Sequence, residues 1–144
     1  MLFADYIRML APPPRRTANA AIRTGATVFS AIGCNACHVP SMKTGPNAVK
    51  ALSNVTFFAY SDFLLHDMGN LGDGITQGDA SRTEMRTAPL WGLSVQTRFL
   101  HDGRATTLQD AILAHGGQGR PASLRFSRLN AARKNALLAF LRSL

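Results

Sequence analysis

Three features of this 144-residue chain predict an all-α architecture. Apolar residues recur at helical spacing near both ends, a shorter helical stretch lies between them, and no apolar–polar alternation is long enough for a sheet. Gly25 to Gly33 begins the pattern, with Val28, Phe29 and Ile32 at i, i+1 and i+4. Gly25 and Phe29 lie one turn apart on a common face, where the missing side chain permits a second helix to approach closely and the ring fills the neighbouring gap. Gly33 ends the helix. A mostly irregular stretch follows to about Ala88, broken at Gly45-Pro46, Gly69, Gly72, Gly74 and Gly78, with Phe57 to Leu65 as its apolar island. Pro89 to Leu93 makes a short helical turn carrying Trp91. Thr107 to His115 reads as a helix with Leu108, Ile112 and His115 on one face, closed by Gly116-Gly117. Asn130 caps a last helix that runs through Leu144, with Leu137, Leu138, Phe140, Leu141 and Leu144 as its stripe. An irregular stretch this long is uncommon in a compact domain unless it is functional or wraps a cofactor.

Directly after the first helix stands Cys34-Asn35-Ala36-Cys37-His38, a C-x-x-C-H pentapeptide. Two thiols at this spacing reach the two vinyl groups of one porphyrin and add across them as thioethers, and the adjoining histidine then lies beneath the iron as proximal ligand. Other readings of the pair fare worse. The chain has two cysteines, so a zinc ribbon lacks its second pair or its two spaced histidines. A thioredoxin-type dithiol belongs between a strand and a helix of a βαβ unit, a pattern missing around it. A structural disulfide this short leaves His38 without a role. One covalent haem c is therefore the expected cofactor. With that motif between them, the first and last helices resemble the class I cytochrome c fold, in which two terminal helices cross beside the haem and a long irregular loop intervenes.

The length implies one domain, with enough apolar material (46%) for a small core. No run approaches the ~18 apolar residues of a membrane span. The first ten residues contain Asp5 and Arg8 and lack a basic leader, so they do not read as a signal peptide. Phe3 to Leu10 followed by Pro12-Pro13-Pro14 reads as the tail of a preceding helix plus a stiff linker, with Met1 an interior methionine. The expected organisation is thus residues 1–16 as tail and linker, and 17–144 as a cytochrome c domain. Haem attachment in bacteria takes place outside the cytoplasmic membrane, so the expected location is the periplasm, with the targeting signal upstream.

The formal charge of +8 is unevenly spread. Residues 1–59 hold six cations and one acid, residues 60–85 one cation and five acids, and residues 86–144 nine cations and two acids. Arg120, Arg125, Arg128, Arg133 and Lys134 cluster near the last helix, a surface suited to steering a redox partner with an acidic face. No helix-turn-helix or aromatic–basic platform accompanies the charge, so nucleic acid is not the expected partner.

Further motifs accumulate in a recognisable order: Leu65-His66-Asp67-Met68-Gly69, then Arg86-Thr87-Ala88-Pro89-Leu90-Trp91-Gly92, then Phe99-Leu100-His101-Asp102-Gly103-Arg104-Ala105. Together they resemble the C-terminal haem domain of the bacterial di-haem cytochrome c peroxidase-like superfamily, in its di-haem oxidoreductase or thiol oxidoreductase branch. The resemblance runs from about Phe3 to Leu144. Its enzymes use two haems in two domains, whereas this chain has one attachment motif. A second haem domain, in the same longer chain or elsewhere, is therefore implied as a partner.

The sixth iron ligand decides the chemistry, and the candidates are His66, His101, His115, Met42, Met68 and Met85. Met42 is four residues from His38 and hard to bring across the ring. The resemblance implies a distal ligand on the helix after the H-D-G block, which falls at His115; Met68 is the alternative. Arg86 and Arg104 are candidates for pairing with haem propionates, since a guanidinium fork matches a carboxylate. Trp91 is a candidate for packing on the haem or relaying electrons, with ordinary core packing as the plainer role. Asp67 and Asp102 follow histidines and either orient them or close turns. The acidic, glycine-rich stretch from Asp67 to Asp79 lacks EF-hand spacing, which argues against calcium. The expected function is single-electron transfer through one bis-histidine haem. The alternatives are half of a di-haem peroxidase-type oxidoreductase, or a non-catalytic docking subunit of a larger electron-transfer complex.

Overall fold

A computed structural model describes residues 2–144, the side chain of Leu2 excepted. Five helices carry the chain: α1 (Leu2–Arg8), α2 (Ala20–Ala31), α3 (Leu108–Leu113), α4 (Arg120–Ser127) and α5 (Ala131–Leu141). Four strands lie between α2 and α3: β1 (Met42–Lys43), β2 (Thr56–Phe57), β3 (Leu65–Asp67) and β4 (Glu84–Arg86). β1 pairs antiparallel with β2, and β3 with β4 in the register Leu65–Arg86, His66–Met85 and Asp67–Glu84. The chain is 39% helical and 10% strand, so it is mixed α/β and not the all-α domain that its periodicity predicts. The reason is length. Alternation becomes legible over about four to eight residues, whereas these strands have two or three and no buried face.

Each long helix begins and ends for a local reason. Asn19 caps α2 by accepting the Ile22 N–H at 2.9 Å, and Asn130 caps α5 by accepting the Arg133 N–H at 2.9 Å. Thr107 caps α3 through the Asp110 N–H at 3.0 Å. After α2, Gly33 turns left-handed at φ +89° and releases the chain into the short 3-10 turn Cys34–Ala36.

α2 and α5 cross at Gly25. A Cβ there would lie 2.0 Å from the Ala136 carbonyl oxygen and 2.6 Å from the Phe140 Cβ, so the two helices touch backbone to side chain with no room for a methyl group. Around that crossing, Phe29, Tyr60 and Phe140 form three edge-to-face pairs with ring centres 5.3–5.9 Å apart. Val28, Phe126 and Leu137 are fully enclosed and complete the core. α1 leaves Phe3, Tyr6 and Ile7 exposed. Residues 9–19 then run without helix or strand against the body, where the Arg16 N–H donates to the Ser143 carbonyl at 3.0 Å and the Arg15 guanidinium lies 5.2 Å from the centre of the Tyr60 ring. Among the described residues, no helix is long and apolar enough to cross a membrane.

Candidate haem centre

The C-x-x-C-H turn opens onto a cavity of about 410 Å³, within the range of small-molecule and cofactor sites. Its wall is largely apolar, with Phe29, Leu90, Leu93, Leu108, Ile112 and Leu137 contributed by α2, α3, α5 and the turn after β4. Cys34, Cys37, His38 and His115 all line it.

The two imidazoles are held alike. The His38 Nδ1–H donates to the Tyr60 carbonyl at 2.9 Å, and the His115 Nδ1–H donates to the Ala111 carbonyl at 2.7 Å. In each ring this fixes the tautomer and leaves Nε2 bare, the arrangement a metal ligand requires. Burial pushes the pKa of both below the ordinary value, so both are neutral donors at pH 7. Their ring centres lie 6.5 Å apart. An imidazole nitrogen binds a metal at about 2.0–2.1 Å, so two rings on opposite sides of one ion have centres about 6.4 Å apart. The donor set fits a haem between them.

Both thiols are free. Burial raises the Cys34 pKa to about 11 and also raises that of Cys37. A redox-active dithiol needs the opposite, a depressed pKa and a stable thiolate. The pair is therefore ill suited to thiol exchange.

The remaining sequence candidates divide. Arg86 and His101 lie on the cavity wall, and the Arg86 guanidinium also sits 5.8 Å from the centre of the Phe63 ring. Arg104 lies off the wall, ion-paired with Asp102 and 3.4 Å from the Asn70 carbonyl. Arg98, which sequence reasoning passed over, lines the wall in its stead. Trp91 is also off the wall, with its indole N–H donating to the Phe58 carbonyl at 2.7 Å. Met68 and Met85 face the cavity, and Met42 does not.

Asp67 and Asp102 close turns, accepting the Gly69 N–H at 2.8 Å and the Arg104 N–H at 3.1 Å. The carboxylate that orients His66 is Asp62, at 2.8 Å from Nε2, while Nδ1 meets the Gln118 amide oxygen at 3.0 Å. With an acceptor at each nitrogen, His66 has no bare lone pair to offer iron. Asp62 first of all, then Gln118, raises its pKa, while burial pulls the other way. Burial opposes ionisation of Asp62, but the Leu64 N–H and the His66 ring hold its carboxyl below the usual value.

Tyr60 carried no signal in the sequence because its part is played by its backbone. Its φ of +52° turns the carbonyl toward His38, and fully buried Ser61 holds the bend by donating to the Thr87 carbonyl at 2.8 Å and accepting the Phe63 N–H at 2.9 Å. Thr87 belongs to the R-T-A-P motif, which gives that motif a structural task beside the cavity.

The family described as "Di-haem oxidoreductase, putative peroxidase" matches residues 2–144, and the chain belongs to it. That membership agrees with the di-haem peroxidase-like motifs and gives the chain a haem cofactor and a haem-linked redox role. Among solved structures, a chain of Kuenenia stuttgartiensis hydrazine synthase, studied under 20 bar of xenon, shares the fold. The TM-score is 0.59 at 21% identity, over 96% of this chain and 52% of that one. This chain thus spans about half the length of the solved chain it matches. No curated protein matches it.

Proposed function

We propose that residues 17–144 form a c-type cytochrome domain that carries one covalent haem, held by His38 and His115, and passes single electrons to and from a partner. The observation that carries this reading is the pair of half-buried imidazoles with ring centres 6.5 Å apart, each with Nδ1 committed to a carbonyl, beside Cys34 and Cys37. Cys34 and Cys37 anchor the group as thioethers. When bound, it supplies a one-electron Fe(III)/Fe(II) couple whose potential two imidazoles set below that of a His/Met site.

The protein's own residues do the rest. The Tyr60 and Ala111 carbonyls raise the basicity of the two ligands by drawing on their Nδ1 protons. Phe29, Leu93 and Leu108 give the cavity an apolar wall that would keep water from the bound group. Arg86 and Arg98 offer guanidinium groups on the wall for the propionates. Held by both His38 and His115, the group would have no ligand position left for peroxide, so the domain alone would be a poor peroxidase and would serve as the electron-transfer half of a di-haem system. Thioether attachment implies an exported, periplasmic protein, and the arginines of α4 and α5 suit an acidic docking partner.

Spectroscopy of the purified holo-protein tests this. A pyridine haemochrome corresponding to one haem c per chain, resistant to acid–acetone extraction, and a low-spin ferric spectrum without a thioether charge-transfer band are expected. His115→Ala should convert that spectrum to high-spin. A variant that stays six-coordinate and low-spin removes His115 and turns the assignment to Met68.

A further inference from the structure

We infer that Asp62, His66 and Gln118 form a strut that holds the His115 segment against the cavity and controls how readily the sixth position opens to an external ligand. The inference rests on the bis-histidine reading above.

His66 sits in β3 with its side chain 19% exposed and that of Asp62 13% exposed. Its Nε2 lies 2.8 Å from Asp62 Oδ2 and its Nδ1 lies 3.0 Å from Gln118 Oε1, so each ring nitrogen has a hydrogen-bond partner. The Asp62 end is anchored on the attachment turn, because the Asp62 N–H donates to the Cys37 carbonyl at 2.9 Å. The Gln118 end lies three residues beyond His115, in the 3-10 turn Gly117–Gly119. One hydrogen-bonded path therefore links the proximal turn, β3 and the distal segment.

The glycines of His115-Gly116-Gly117-Gln118-Gly119 explain why this contact is close. A Cβ on Gly117 would lie 2.2 Å from the Asp67 carbonyl oxygen, and one on Gly116 would lie 2.8 Å from that of Met68. The turn rests directly on the exit of β3. Gly119 in turn abuts the distal ligand, where a Cβ would meet His115 Cδ2 at 3.2 Å. The bond from His115 Nδ1 to Ala111 is local to α3 and does not fasten the segment to β3. The His66–Gln118 bond does so, across 52 residues of sequence. An external ligand enters the sixth position only when His115 withdraws, and withdrawal pulls Gln118 away from His66. His66 and Gln118 are therefore positioning residues.

Cyanide binding to the ferric holo-protein, followed by stopped-flow absorbance, tests the strut. Gln118→Ala and His66→Phe should each bind cyanide about five- to tenfold faster than wild type, the effect of losing one ordinary hydrogen bond. Gln118→Glu keeps the acceptor and should restore the wild-type rate. Gln118 is solvent-exposed, so its truncation leaves the core intact and carries the test even where His66→Phe folds poorly. Wild-type cyanide kinetics in Gln118→Ala, with an unchanged low-spin spectrum, overturn the strut and leave the ligand assignment standing. A wild-type ferric spectrum that is already high-spin overturns the assignment itself, and the strut with it, before any variant is made.

Discussion

Gly25→Ala probes the helix crossing on which the cavity is built. Two effects oppose each other. Alanine is a better helix former than glycine by about 1 kcal/mol, so at an open helical site the change stabilises. At Gly25 the new methyl group would stand 2.0 Å from the Ala136 carbonyl oxygen and 2.6 Å from the Phe140 Cβ. The carbonyl is backbone and the Phe140 Cβ is fixed by its own helix, so no rotamer change relieves either contact. α5 has to move away by more than 1 Å to restore ordinary contact, which loosens the Phe29–Phe140 pair at 5.3 Å and the wall residue Leu137. Overpacking of this kind costs about 3 kcal/mol at the upper end of its usual range. The net is a loss of about 2 kcal/mol, or a fall in Tm of about 4–8 °C for a domain of this size. Thermal unfolding of the ferric holo-protein, read both at 222 nm and in the Soret band, measures it. A Gly25→Ala protein that melts at or above the wild-type temperature refutes the close crossing, because helix propensity alone would then have decided the outcome.

Two further outcomes follow from the site. On the proposed thioether attachment, Cys34→Ala should leave at most one thioether by mass spectrometry and sharply reduce the yield of folded holo-protein, because a doubly anchored haem would lose half its anchorage. Acid-stable colour at wild-type yield would remove Cys34 from the anchor. The His66–Asp62 pair gives stability a pH window. The raised pKa of His66 means that its contribution is complete below the ordinary value of 6.5 and disappears as pH rises through the folded-state value. The lowered pKa of Asp62 means that its contribution is present above 3.8 and disappears as pH falls through the folded-state value. The Tm advantage of wild type over His66→Phe should therefore be greatest near pH 5–6 and shrink toward pH 9. An advantage that grows with pH would show that the ring is neutral in the fold.

Local chemistry was legible in the sequence. The proposed haem anchor of Cys34, Cys37 and His38 is read from spacing within one turn, so it needs no tertiary information. Asn130, Thr107 and Gly33 act within a few residues of themselves, and the structure gives them the cap and turn roles their types suggest. α4 escaped notice because its buried residues are Ser123 and Phe126, and one buried serine breaks the apolar rhythm by which helices are recognised. The strands escaped because two or three residues cannot display a period of two.

What tertiary structure alone decided are the pairings between distant segments. Arg98, and not Arg104, reaches the wall shared with the attachment turn. Trp91 turns its indole to a backbone carbonyl outside the cavity, although the motif that carries it runs along the wall. Gln118 reaches His66 across 52 residues, at the ring nitrogen opposite the one that meets Asp62. Tyr60 contributes through a carbonyl, and every residue type has one. Side-chain identity specifies interactions within a turn or along a helix face, because there the separation is set by the backbone's own geometry. Contacts across tens of residues depend on how the crossing at Gly25 and the glycine-packed turn after His115 bring the segments together, and only the folded chain contains that distance.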